Sequence, residues 1–272
     1  MKTIYNSLLI LFVIGNSFGQ QSNSELLVIG KKETLHSTVL NEERILNIYL
    51  PENYDSTQSY PVIYLLDGTF NEDFIHIVGL VQFFNLIFKM PETIVVGIAN
   101  VDRKRDFTFH TDSDEFKKSY PTTGHSAVFI QFIEQELQPY ITNRFNTNST
   151  KYLIGQSLGG LLATEILLKK PELFSHYLIV SPSLWWDNQN LLKQAPELIN
   201  IQSLEKRKVY LSVGGKEHIV MQKDAKKLQS IIKKLPSNSI DLFFNFMKEE
   251  NHATILHKSI YDAFLNLFPY SE

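Results

Sequence analysis

The chain has 272 residues, enough for one large core or two small ones, and with 43% of them apolar and 20% charged it has an ordinary globular balance for which one domain is the simpler expectation. Its formal charge of −3 gives none of the concentrated Lys and Arg that nucleic acid or an anionic membrane surface would need, so neither is expected as a partner. The chain contains no cysteine, which excludes disulfides, thiol nucleophiles and thiolate metal sites and leaves stability to the core.

At the start, Lys2, the apolar run Leu8 to Ile14 and the small residues Ser17 and Gly19 ahead of Gln20 read as a secretory signal peptide over residues 1–19. The run is too short to span a bilayer, and no cysteine is present there to carry a lipid. The mature chain is therefore expected to begin near Gln20 and to be secreted or periplasmic, without a membrane span.

Residues 20–272 are expected to form one α/β domain. Glu25 to His36 and Arg44 to Leu50, around the polar turn Asn41-Glu42-Glu43, suggest an antiparallel hairpin. Tyr60 to Leu66, Thr93 to Ala99, Lys151 to Gly155, His176 to Val180 and Lys208 to Val213 are short, almost unbroken apolar runs, as in strands buried on both faces of a parallel sheet. Segments with helical spacing lie between them, at Asp73 to Phe88, Gly124 to Ile141, Leu158 to Lys169 and Met221 to Leu235. A last strand, Ile240 to Met247, precedes a last helix from about Thr254 to Phe268. This order predicts an open, mostly parallel sheet with helices on both faces and an antiparallel hairpin at its start. Val101 to Thr123 and Ser181 to Ser203 escape the alternation. Both follow strands, and ligands in such sheets bind at the carboxyl ends of strands, so these excursions are the expected walls of a cleft.

The strand Lys151 to Gly155 runs into Gln156-Ser157-Leu158-Gly159-Gly160 and then into a helix. A bare G-x-S-x-G is common, but strand, sharp turn and helix around it are the context of a nucleophile elbow, with glycines where the backbone must turn tightly. Ser157 is thus the candidate nucleophile. The Leu158 N–H sits in the first helical turn, free of a helical partner and at the positive dipole end, and forms half of a candidate oxyanion hole. Asp67-Gly68-Thr69 closes the strand Tyr60 to Leu66 and offers the Thr69 N–H as the other half, although Asp-Gly is also a common turn dipeptide.

A serine needs a histidine to take its proton and a carboxylate to orient that histidine. His252 lies in a polar loop between the last strand and the last helix, at the carboxyl edge of the sheet. His257 falls inside the helix and His176 begins a buried run. Glu217 follows Gly214-Gly215 at the end of the strand Lys208 to Val213 and is the preferred acid. Asp187 and Asp224 are its rivals.

Leu65-Leu66-Asp67-Gly68, Val96 to Asn100 with Arg103 to Thr108, the elbow Gly155 to Gly160, Ser181-Pro182-Ser183-Leu184-Trp185-Trp186, Ser212-Val213-Gly214 with Glu217, and Asn251-His252 resemble the esterase family of α/β-hydrolases. That family includes siderophore, feruloyl and acetylxylan esterases, S-formylglutathione hydrolases and mycolyltransferases. The resemblance covers nearly the whole mature chain and is greatest to the siderophore-esterase-like members. It implies the α/β-hydrolase fold, the triad Ser157, Glu217 and His252, an oxyanion hole from Thr69 and Leu158, and a small-molecule ester as substrate. Arg103 and Arg105 are candidates to hold an anionic or catechol-bearing ligand, or else fix the loop by ion pairs. Trp185 and Trp186 are candidates for an aromatic or sugar subsite, or for packing beneath the cleft. No cofactor is expected, and no H-E-x-x-H pattern points to a metal. Acyl transfer to a sugar or lipid acceptor and an inactive ligand-binding scaffold are the alternatives to ester hydrolysis.

Overall fold

The computed structural model describes residues 24–200, 206–234 and 240–270, so the signal peptide read over residues 1–19 lies outside the described residues. Among the described residues one eight-stranded sheet runs in the order β1-β2-β4-β3-β5-β6-β7-β8. The strands are β1 (Lys31–Ser37), β2 (Glu42–Tyr49), β3 (Tyr60–Leu65), β4 (Ile94–Ile98), β5 (Thr147–Gln156), β6 (His176–Val180), β7 (Arg207–Gly214) and β8 (Ile240–Met247). β2 pairs antiparallel with both β1 and β4, and every other pairing is parallel. The helices are α1 (Ile75–Ile87), α2 (Arg103–Phe107), α3 (Asp114–Ser119), α4 (Ser126–Phe132), α5 (Gln138–Arg144), α6 (Leu158–Lys169), α7 (Trp186–Asn200), α8 (Ile219–Ile232) and α9 (Ile255–Leu267).

The unbroken apolar runs become strands because both sheet faces are covered. All of β3 and β4 is buried. Successive side chains point to opposite faces, so Ile63 and Leu65 join one core with Ile77 and Val81 of α1 and Ile260 and Phe264 of α9. Val62, Tyr64 and Leu66 join the other, with Phe129 and Phe132 of α4, Leu161 and Leu162 of α6, and Leu228 of α8.

Some boundaries differ from the sequence reading. The hairpin begins at Lys31, and residues 24–30 have no regular structure; Leu26 and Leu27 there are exposed and have no face to bury. The segment read as a helix from Asp73 starts with a wide turn, Phe70–Phe74, in which Glu72 is non-helical. Both excursions carry helices, α2 and α3 in one and α7 in the other. The start of α7 was hidden by Asp187, Asn188 and Gln189, all in the left-handed region, and its interior by Pro196. Its signal was the spacing of Leu191, Leu192, Ala195 and Ile199, all buried.

From β3 the chain steps to β4 on one side and later to β5 on the other, so the crevice at the carboxyl ends of β3 and β5 is the topological switch point. Asp67 and Ser157 stand at those two ends. Among the described residues, no helix is long and apolar enough to cross a membrane.

Candidate active site

Ser157 links β5 to α6 with φ 59° and ψ −118°, a conformation that costs a non-glycine residue about 1–3 kcal/mol and persists only where its surroundings hold it. They do so here. Its N–H donates to Val180 O at 3.1 Å, and its carbonyl accepts from Leu161 N–H at 2.9 Å and Ser183 N–H at 3.0 Å. Gly155 permits the turn, since a Cβ there would stand 2.4 Å from Gly159 O. The Ser157 hydroxyl is 3.2 Å from that of Ser183 and makes no hydrogen bond to His252 in this structure.

β7 ends at Gly214 and the following turn presents Glu217, whose side chain is almost wholly buried. Its Oε2 is 2.8 Å from His252 Nδ1. Its Oε1 accepts from the Gly214 N–H at 2.9 Å and from the Ser181 hydroxyl. Burial alone would raise the Glu217 carboxyl, but the hydrogen bonds from His252, Ser181 and Gly214 outweigh it and hold it below its ordinary value. His252 lies in the loop between β8 and α9, half-exposed, and its carbonyl accepts from Gln156 Nε2 at 2.5 Å. That bond ties the histidine loop to the residue before Ser157. The rival acids lie elsewhere. Asp187 accepts from the Thr111 hydroxyl and Asn190, both at 2.6 Å. Asp224 lies within α8, and burial raises its carboxyl.

At the end of β3, Asp67 has φ 55°. Gly68 passes so close to β4 that a Cβ on it would meet Gly97 Cα at 2.4 Å, and its N–H donates to Ile98 O at 3.0 Å. The following Thr69 N–H makes no hydrogen bond among the described residues, and the Leu158 N–H opens α6 without a helical acceptor.

A cleft of about 530 Å³ is lined by Asp67, Asn71, Glu72, Asp73, Arg103, Gln156, Ser157 and His252. Asp73, which the sequence reading missed, is pushed up to about 6, first by burial and then by the charges of Asp67 and Glu72. An acidic run just after a strand-end Asp-Gly was the available signal. Arg103 borders the cleft but its guanidinium is engaged by Asp67, Nε to Oδ1 at 2.6 Å and Nη2 to Oδ2 at 2.8 Å. Arg105 lies apart, bonded to both Glu42 carboxylate oxygens at 2.9 and 2.6 Å and to Asp106 at 2.7 Å. Trp186 is fully buried with its N–H donating to Phe109 O at 3.0 Å, and Trp185 stacks on Phe116; neither lines the cleft. Among the described residues, no three His, Asp or Glu side chains are grouped to hold a metal ion.

A serine on a strained turn, an imidazole–carboxylate pair on the same cleft and two free N–H groups at adjoining strand ends can together carry out nucleophilic acyl transfer. Comparison with known proteins points to carboxylic-ester hydrolysis. The model of the family described as "Putative esterase" matches residues 37–251. The ferri-bacillibactin esterase BesA of Bacillus subtilis is 28% identical over 247 residues, 79% of this chain and 82% of its own. The crystal structure of an IroE-like serine hydrolase from Shewanella oneidensis superposes with a TM-score of 0.80 at 30% identity, over 88% of this chain and 80% of that one. That of the BES protein from Bacillus cereus gives 0.77 at 28% identity, over 90% and 96%.

Proposed function

The chain belongs to this esterase family and is a carboxylic-ester hydrolase of the α/β-hydrolase fold, and on that premise we propose that it works as a serine esterase through Ser157, His252 and Glu217. The observation that carries the reading is the 2.8 Å pair between buried Glu217 and His252, facing the cleft that Ser157 enters on its strained turn. Glu217 binds the Nδ1 side of the ring and leaves Nε2 for the serine. The reading requires the Ser157 hydroxyl to leave Ser183 for Nε2, and catalytic bonds of this kind form or tighten when substrate binds. Ser157 attacks the ester carbonyl as His252 takes its proton, the Thr69 and Leu158 N–H groups receive the oxyanion, and His252 returns the proton to the departing alcohol. Water, activated by the same histidine, then cleaves the acyl-enzyme.

The proposed substrates are esters of the siderophore or aryl type, in keeping with the ferri-bacillibactin esterase relative. Of the arginine and tryptophan candidates only Arg103 borders the cleft, so Arg105, Trp185 and Trp186 are given no role in binding. Residues 1–19 support export from the cytoplasm. The test pairs Ser157→Ala with the parent chain. The parent is expected to take up a fluorophosphonate probe and to hydrolyse nitrophenyl acetate and a siderophore lactone, each followed by product chromatography. Ser157→Ala is expected to lose the label and at least about 10³-fold in kcat. Near-normal hydrolysis by the variant would reject the assignment.

A further inference from the structure

Arg103 stands at the cleft with its charge already paired, and what it pairs with suggests a task other than holding substrate. One guanidinium reaches both strand ends that supply the oxyanion donors. On the β3 side it grips Asp67 with two bonds, 2.6 and 2.8 Å long, while Asn100 Nδ2 adds a third to the same carboxylate at 2.7 Å. Asp67 is the residue with φ 55° that turns the chain toward Thr69. On the β5 side, Arg103 Nη2 donates to Gln156 O at 3.3 Å, the carbonyl immediately before the strained Ser157. The Asp67 carboxylate is also packed against the start of α6, with Oδ2 only 3.3 Å from where a Cβ on Gly159 would stand. Arg103 opens α2, a helix held by Asp102 capping the Arg105 N–H, so its position is built into the fold.

We propose, building on the serine-esterase reading above, that Arg103 is a positioning residue. It fixes the spacing between the Thr69 and Leu158 N–H groups by clamping Asp67 and Gln156 together, and does not bind the substrate's charge. An oxyanion hole acts on the transition state and little on the ground state. Loosening the clamp therefore lowers kcat and leaves KM nearly unchanged. The planar fork of Arg matches Asp67 in a way Lys cannot, so Arg103→Lys retains charge but not alignment.

The experiment measures kcat and KM for a neutral and a carboxylate-bearing nitrophenyl ester, and Ki for phenylboronic acid, whose tetrahedral adduct on Ser157 mimics the oxyanion. The variants are Arg103→Gln, Arg103→Lys, Asp67→Asn and the double variant Arg103→Gln/Asp67→Asn. Thermal unfolding checks that each is folded, and Arg103→Lys serves where Arg103→Gln is not. The expected result is a drop of about 10- to 100-fold in kcat for both esters, a matching rise in the boronate Ki, KM within about twofold, and a double variant no worse than the poorer single one. A KM increase confined to the carboxylate ester would make Arg103 a substrate contact, and unchanged kcat in folded variants would leave it no positioning role; either overturns the proposal. Ser157→Ala keeps the two readings separate: if it retains hydrolysis, the serine-esterase mechanism is at fault, whereas loss of hydrolysis there with normal Arg103 variants rejects the clamp alone.

Discussion

Asp73 and Glu217 are two carboxyls in one neighbourhood whose surroundings push them in opposite directions. Burial works against the charge of both, but Glu217 collects hydrogen bonds from His252, Ser181 and Gly214 and stays ionised, whereas Asp73 faces Asp67 and Glu72 and is pushed up to about 6. A carboxyl whose folded value lies above its ordinary 3.8 favours the folded state fully below about 3.8, and that contribution is lost as pH rises through 6. At pH 8 the ionised group is a burden. Asp73→Asn is expected to unfold about 2–4 °C higher than the parent at pH 8, on the order of 1 kcal/mol after screening by solvent, with the gain shrinking below pH 6 and gone near pH 4. Melting curves across that range check it, and a difference that does not vary with pH would rule out ionisation of Asp73 as its cause.

The elbow was legible in the sequence because its chemistry is local. Gly155, Ser157 and Gly159 within a few residues encode a turn, and the flanking apolar patterns encode the strand and helix; α6 occupies the residues Leu158–Lys169 that the spacing indicated. The excursions were less legible. α7 opens with three left-handed residues, which no apolar periodicity announces, and its Trp186 is held by a carbonyl of Phe109 from the other excursion. Local pattern cannot report a contact between two irregular segments. The elbow also makes a prediction about packing. A methyl group at Gly155 would meet Gly159 O at 2.4 Å and Gly159 C at 2.6 Å, both backbone atoms that cannot swing aside. Gly155→Ala is expected to cost at least about 2 kcal/mol in urea unfolding and to abolish rapid fluorophosphonate labelling of whatever remains folded. A variant with parental stability and labelling rate would show that the strand and helix can move apart.

Strand order is where the sequence was silent. Alternating strands and helices imply an open sheet, but nothing in one strand's residues says that β2 inserts between β1 and β4, or that Arg44, read only as the start of a hairpin strand, is fully buried. It is buried because the second arm of the hairpin packs against the excursion that carries Arg103. Arg44 pairs with Asp106 of α2 and, at 2.9 Å, with Glu42, while its guanidinium lies 5.0 Å from the Phe129 ring centre. Arg105 binds Glu42 and Asp106 in turn. Through these charges the hairpin is tied to the helix that bears the cleft arginine. A buried ion pair contributes little net stability over apolar packing, yet removing one partner strands the other charge. Asp106→Ala is therefore expected to lose roughly 3–5 kcal/mol in chemical denaturation, the lower end applying because Glu42 remains beside Arg44. Adding Arg44→Met removes the stranded charge and should recover much of that loss, making the double variant more stable than the single one. If the double variant is instead the weaker, Arg44 is held by its ring and Glu42 contacts and not by Asp106, and the hairpin does not anchor α2 through that ion pair.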